Sequence, residues 1–124
     1  MPDQPPRPPR HELAETKVGR FHADTLSEVT GLVEREPVVV IGMGWNPHVR
    51  RARRALDAAG VAYTYYGVGN YLTGWKPRLA IKLWSGWPTF PQVFVQGELI
   101  GGADQAEKAV SQGIIADKLA KASA

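Results

Sequence analysis

Apolar positions along the chain fall into short patches broken at regular intervals. Leu26, Val29, Leu32 and Val33 recur at helical spacing through Glu34, and Asp24 or Thr25 can cap the start of that helix. Pro37 ends it. The run "VVVI" that follows is continuous and mostly β-branched, which predicts a strand over 38–42. Asn46 is a favoured N-cap and Pro47 suits the first helical position, so a helix is expected from about 47 to 59, closed by Gly60. Val49, Ala52, Leu56 and Ala59 give it one apolar face. The alternating, aromatic segment "VAYTYYGV", 61–68, predicts a second strand. After a loop with Gly67, Gly69 and Gly74, a third helix is expected to start at Pro77, with Leu79, Ile81 or Leu83, and Trp84 partly buried. The segments "TFPQVFV" and "ELIGG" predict two more strands joined at Gln96-Gly97. Ala103 and Asp104 open a fourth helix, Gly113 interrupts it, and "IIADKLAKA" supplies the last turns.

The first two strands and the helix between them form a parallel, right-handed unit, and the last two strands form a hairpin. The predicted fold class is α/β, a four-stranded mixed sheet flanked by helices on both faces. Residues 1–22 stand apart. Their Pro- and charge-rich sequence, "MPDQPPRPPRHELAETKVGR" and onward, reads as a disordered leader, so the folded domain is expected over 23–124. An apolar content of 44% in 124 residues suffices for one modest core.

Composition narrows the chemistry. No run of eighteen apolar residues is present, and the polar start lacks the apolar stretch of a signal peptide, so the default reading of location is the cytoplasm. Cysteine is absent, which excludes disulfides, thiolate metal sites and thiol catalysis by this chain. His11 and His22 have no visible partner and support no metal site. The net charge is +3, and Arg50, Arg51, Arg53 and Arg54 crowd one helix. Arg50, Arg51 and Arg54 should face outward, as a plain solvated face or as a patch for an acidic protein partner; nucleic acid is the weaker reading. Arg53 borders the apolar face and should lay its stem along it.

The stretch "WPTFPQVFVQGELIGGADQ", residues 87–105, resembles the glutaredoxins, especially their monothiol branch, and "RLAIKLWSGWPT", 78–89, is similar to that branch as well. The likeness covers about residues 24–122. It implies a thioredoxin-type fold and a groove for glutathione. By resemblance, Pro91 follows a cis bond, and Thr89 and Phe90 offer backbone groups to a tripeptide laid alongside as an extra strand. Arg78 and Lys82, four apart on one helix face, match a cationic clamp for the glycine carboxylate. Gly102, Ala103 and Asp104, at a helix N-terminus, would receive the γ-glutamyl end, with Asp104 accepting from its α-amino group. Plainer readings stand beside these: Asp104 as a cap only, Arg78 and Lys82 as solvated cations.

The departures from that family pattern are as specific as the match. "NPHV", residues 46–49, stands where the resemblance implies C-P-Y-C or C-G-F-S. Asn46 takes the place of the nucleophile and Val49 that of the second Cys or Ser. Met43 replaces a usual Lys, and Ala103 a usual Cys or Ser. A helix N-terminus that would stabilise a thiolate is here expected to be capped by Asn46 itself. His48, in the first turn, is a weak candidate base toward the thiol of bound glutathione. Trp45 is expected to be exposed beside the site. Three functions remain open. One is a redox-inactive module binding glutathione or a partner. Another is an enzyme, a transferase or glutathione-dependent oxidoreductase, using bound glutathione as its thiol. The third is an adaptor with no small ligand. No iron–sulfur cluster is expected, because the cluster of monothiol relatives takes a Cys from each protomer.

Overall fold

The computed structural model describes residues 7–123; the part of the expected leader at 1–6, and Ala124, lie outside the described residues. Strand β1, Val38–Gly42, lies at the centre of the sheet, whose order is β2-β1-β3-β4. It runs parallel to β2 (Thr64–Gly67) and antiparallel to β3 (Gln92–Val95), and β3 pairs antiparallel with β4 (Glu98–Gly101). Every residue of β1 is buried. That is why its sequence is continuously apolar instead of alternating: both faces are covered.

The covering helices sort by face. Helices α2 (Ala23–Arg35) and α4 (Trp75–Ser85) pack Val29, Val33 and Ile81 against Val39, Ile41 and Phe94. Helices α3 (Pro47–Ala58), α5 (Ala103–Ser111) and α6 (Ile114–Ser123) pack Ala52, Leu56, Ala106, Ala109 and Ile115 against Val38, Val40, Val93 and Val95. The two sets of strand residues alternate, as the two-residue period of a strand requires. The small residues Ala52, Ala103 and Ala106 let α3 and α5 lie close together, which matters for the charges above them. The β3–β4 turn has Gln96 and Gly97 both at positive φ (51° and 80°), the backbone a two-residue hairpin turn demands.

Several elements differ from the expectation. Residues 12–20, read as disordered leader, form α1 (Glu12–Arg20), with no buried residue. Local signals account for it: His11 Nδ1 accepts from the Leu13 N–H, Glu12 and Glu15 stand in the first turn, and Lys17 and Arg20 in the last. Helix α2 starts at Ala23, ahead of the expected caps, because His22 turns the chain in a left-handed conformation straight out of α1. Strand β2 is four residues long; its pairing with β1 begins only at Val39 opposite Thr64, and 61–63 serves as connection. Strand β3 likewise begins only at Gln92. Helix α4 starts at Trp75, and Pro77 sits in its first turn, where its missing N–H is not needed. Its buried residues are Arg78, Ala80 and Ile81, while Leu83 is exposed.

Tyr66 ties β2 to α2 by donating its hydroxyl to Glu28 Oε2 at 2.7 Å. Burial, and after it the Glu28 carboxylate, push its pKa up to about 12. The fold therefore favours the neutral phenol. Stability from this source is complete below the ordinary tyrosine value near 10 and is lost as pH rises from there through about 12. An ultraviolet phenolate titration should show Tyr66 ionising late among the four tyrosines, and Glu28→Gln should bring it earlier.

Candidate functional site

A cavity of about 300 Å³ opens at the end of the sheet where β1 and β2 stop. Met43, Asn46, His48, Tyr71, Arg78, Lys82, Pro88, Thr89 and Phe90 line it, so residues far apart in sequence meet here. The volume is at the small end for ligand pockets. A larger cavity of about 560 Å³ lies between the 7–21 segment and the α2/α4 face, with Val18, Phe21, Leu26, Leu83 and Trp84 in its walls. None of the sequence-predicted site residues lines it. The smaller cavity is where the candidate chemistry collects.

Asn46 decides what the start of α3 can do. It is nearly buried, and its Oδ1 accepts from the backbone N–H of His48 at 2.9 Å and of Val49 at 3.3 Å. Its Nδ2 reaches the carbonyl of Phe90 at 3.5 Å. The donors that a helix N-terminus could turn toward an anion are thus consumed by the cap. Met43, in place of a cation, is buried in the core with Ile41 and Phe90. His48 is exposed on the rim.

Arg78 is buried and donates from Nη1 to the carbonyls of Val68 (2.9 Å) and Thr73 (2.6 Å). Contrary to the simple clamp reading, it first holds the loop between β2 and α4. Its charge is not cancelled there, because carbonyls solvate a guanidinium without neutralising it. Lys82 lies one turn on, with Nζ 5.8 Å from the centre of the Phe90 ring. The loop that Arg78 holds is further fixed by Asn70, whose Oδ1 accepts from the N–H groups of Leu72 (2.8 Å) and Thr73 (3.1 Å). It abuts the 43–46 loop through Gly44 N–H to Gly69 O at 2.8 Å.

Pro91 follows a cis Phe90–Pro91 bond, as the resemblance implied, and lies buried beneath the cavity. Gly102 and Ala103 are buried beside it; a Cβ on Gly102 would come within 3.5 Å of the Pro91 carbonyl. Gln105 turns back to accept from the Gly102 N–H at 3.1 Å. Asp104 does not line the cavity. Its carboxylate pairs with Arg51 Nη2, while Arg51 Nε faces Glu107 Oε2 at 3.3 Å. Arg51 therefore does not belong to a free outward patch; the close approach of α3 to α5 places it between two carboxylates. Arg50 and Arg54 are exposed as expected. Arg53 bonds the Tyr63 hydroxyl at 3.1 Å and lies 3.9 Å above the Tyr65 ring.

Two contributors were not singled out from sequence. Gln92, fully buried, donates from Nε2 to the carbonyls of Trp87 (3.0 Å) and Thr89 (3.4 Å), and so fixes the 87–89 segment on the cavity rim. Its signals were a polar residue opening an otherwise apolar strand and its place in the 87–105 stretch. The second is charge asymmetry: between Glu36 and Glu98 the chain has seven Lys and Arg residues and one carboxylate, Asp57. Of these cations only Arg78 and Lys82 line the groove, and no carboxylate is among its lining residues. Among the described residues no group of three or more His, Cys, Asp or Glu side chains could hold a metal ion, and no helix is long and apolar enough to cross a membrane.

The glutaredoxin family model matches residues 37–100, the span that holds the cavity, strands β1 to β3 and all of β4 but Gly101. This chain belongs to the glutaredoxin family. A glutaredoxin-like protein of Dictyostelium discoideum is 40% identical over 104 residues, covering 84% of this chain and 85% of its own length. A probable monothiol glutaredoxin of Legionella pneumophila is 40% identical over 63 residues, 51% of this chain and 67% of that one. In three dimensions this glutaredoxin is similar to buckwheat glutaredoxin, crystallised as a glutathione complex, with a TM-score of 0.68 over 80% of this chain and 90% of that one at 24% identity. The thioredoxin-type α/β fold and the kinship with monothiol glutaredoxins thus stand, in a chain with no cysteine.

Proposed function

We propose that this glutaredoxin is a redox-inactive module that binds glutathione in the groove between α4 and the 88–91 segment. One observation carries the reading: Asn46 fills the nucleophile position and its Oδ1 takes the N–H groups of His48 and Val49, while the cations Arg78 and Lys82 still face the cavity beside it. Carboxylate recognition is retained where thiol activation is gone. The buckwheat relative's glutathione complex supports the ligand class. The enzyme reading has His48 on the rim as a base, but the two donors that would hold a glutathione thiolate are already occupied. A cluster ligated by this chain's own thiolates has no ligand to draw on.

Glutathione added to the isotope-labelled protein should shift the amide resonances of Thr89, Phe90, Ala103 and Asp104 at millimolar concentration. Lys82→Ala is the cleaner test of the clamp, since Arg78 also holds a loop. A charge-assisted hydrogen bond is worth roughly 1.5–3 kcal/mol and solvent weakens it here, so the variant should lose about tenfold in affinity at most. No shift at these residues with 10-millimolar-scale ligand (on the order of ten times a millimolar Kd) would remove glutathione as the ligand. Turnover of a glutathione mixed disulfide by the unmodified chain would remove redox inactivity.

A further inference from the structure

Resting on the reading of the groove as a glutathione site, we propose that its preferred ligand is glutathione whose sulfur already carries an apolar substituent, a thioether conjugate, with that substituent seated against Tyr71 and Trp45. Asn46 occupies the place of the residue that meets the ligand's sulfur, so the sulfur of a bound tripeptide ends beside it. What surrounds that point is ill suited to a thiolate. The His48 and Val49 N–H groups are bound to Asn46 Oδ1, and Met43, where a cation would stand, is buried in the core. A thioether needs none of these, because it carries neither charge nor proton.

Around the same point the surface is aromatic. Tyr71 lines the cavity together with His48, yet 60% of it is exposed, and Trp45, immediately before Asn46 and just outside the cavity lining, is 58% exposed. Neither sits on a loose segment. The Tyr71 loop is fixed by Asn70, by Arg78 and by the Gly44–Gly69 bond that joins it to the Trp45 loop. Trp45 is held at φ 64°, a left-handed conformation that a bulky side chain rarely adopts and that the surrounding fold must maintain. Large apolar side chains kept exposed on a rigid rim mark a contact surface. The occupant follows from what adjoins it: cations for carboxylates on one side, an uncharged and sulfur-tolerant point in the middle, and aromatic faces beyond.

The test compares glutathione with S-methylglutathione and S-hexylglutathione by amide and indole shifts and by calorimetry. S-hexylglutathione should bind about tenfold tighter than glutathione, a gain expected from burying part of the alkyl chain. The added shifts should fall on Trp45, Tyr71 and Leu72. Trp45→Ala, outside the cavity lining, should remove much of that gain while leaving the affinity for glutathione itself within about twofold, and Tyr71→Ala, on the cavity wall, should bring the S-hexyl compound down to the affinity the same variant has for glutathione. Equal or weaker binding of the S-hexyl compound, with glutathione still bound, overturns this proposal alone. So does a gain whose shifts lie on Val18, Phe21 and Trp84, which would place the alkyl chain in the larger cavity. Binding of none of the three overturns both this proposal and the glutathione reading beneath it.

Discussion

Asn46→Cys should convert an inert groove into a reactive thiol site. The substitution removes the Oδ1 that holds the His48 and Val49 N–H groups and leaves a sulfur at the same helix N-terminus. Those donors and the helix dipole then stabilise the thiolate and bring its pKa below the usual value near 8.5. The unmodified chain has no thiol, so its rate of mixed-disulfide formation with oxidised glutathione is nil. The variant should react about tenfold faster at neutral pH than Arg54→Cys, a thiol on the exposed face of the same helix. Mass spectrometry across pH reads the difference. Loss of the cap should cost about 1 kcal/mol in stability. Adding Met43→Lys should lower the thiol pKa further, because Met43 lines the cavity beside Asn46, at some cost in the packing that Met43 shares with the core. Equal reactivity of the two thiols would mean that the start of α3 is not preorganised, and the active-site reading of 46–49 would go with it.

Gly69→Ala should be the most damaging small substitution near the groove. Gly69 has φ 62°, and a Cβ built there lies 2.2 Å from the Thr73 carbonyl oxygen and 2.7 Å from its carbon. Both obstacles are backbone, so no side chain can swing aside. Gly60 provides the control: its φ is 71° and nothing lies within 4 Å of an added Cβ. Gly60→Ala should cost about 1 kcal/mol, the penalty of a left-handed alanine alone. Gly69→Ala adds the clash and should cost about 3–4 kcal/mol. Denaturant midpoints compare them. Because Thr73 O also receives Arg78, the variant should lose ligand affinity as well as stability. Equal costs for the two glycines would show that the loop is not closed on itself as described.

What could be read without coordinates was what local chemistry encodes. The β-branched run gave β1 its bounds at 38–42, the Asn-Pro pair gave α3 its start, and Gln96-Gly97 gave the hairpin turn, each because the signal and the structure lie within a few residues. The family motif was legible for the same reason: it is one contiguous stretch. Helix α1 departs from the expectation set by the prolines at 2–9, because its own signals, the His11 cap and the charges of its first and last turns, lie beyond them. Tertiary structure alone decided the state of the charges. Arg51 and Asp104 are 53 positions apart, and only the alanine-lined approach of α3 to α5 makes them a pair. Arg78 could be placed on a helix face by counting, but whether that face met solvent or the carbonyls of Val68 and Thr73 depended on where the preceding loop folded. Spacing fixes which side chains share a face; the partner that face meets is set by packing between elements, and a charge takes its role from that partner.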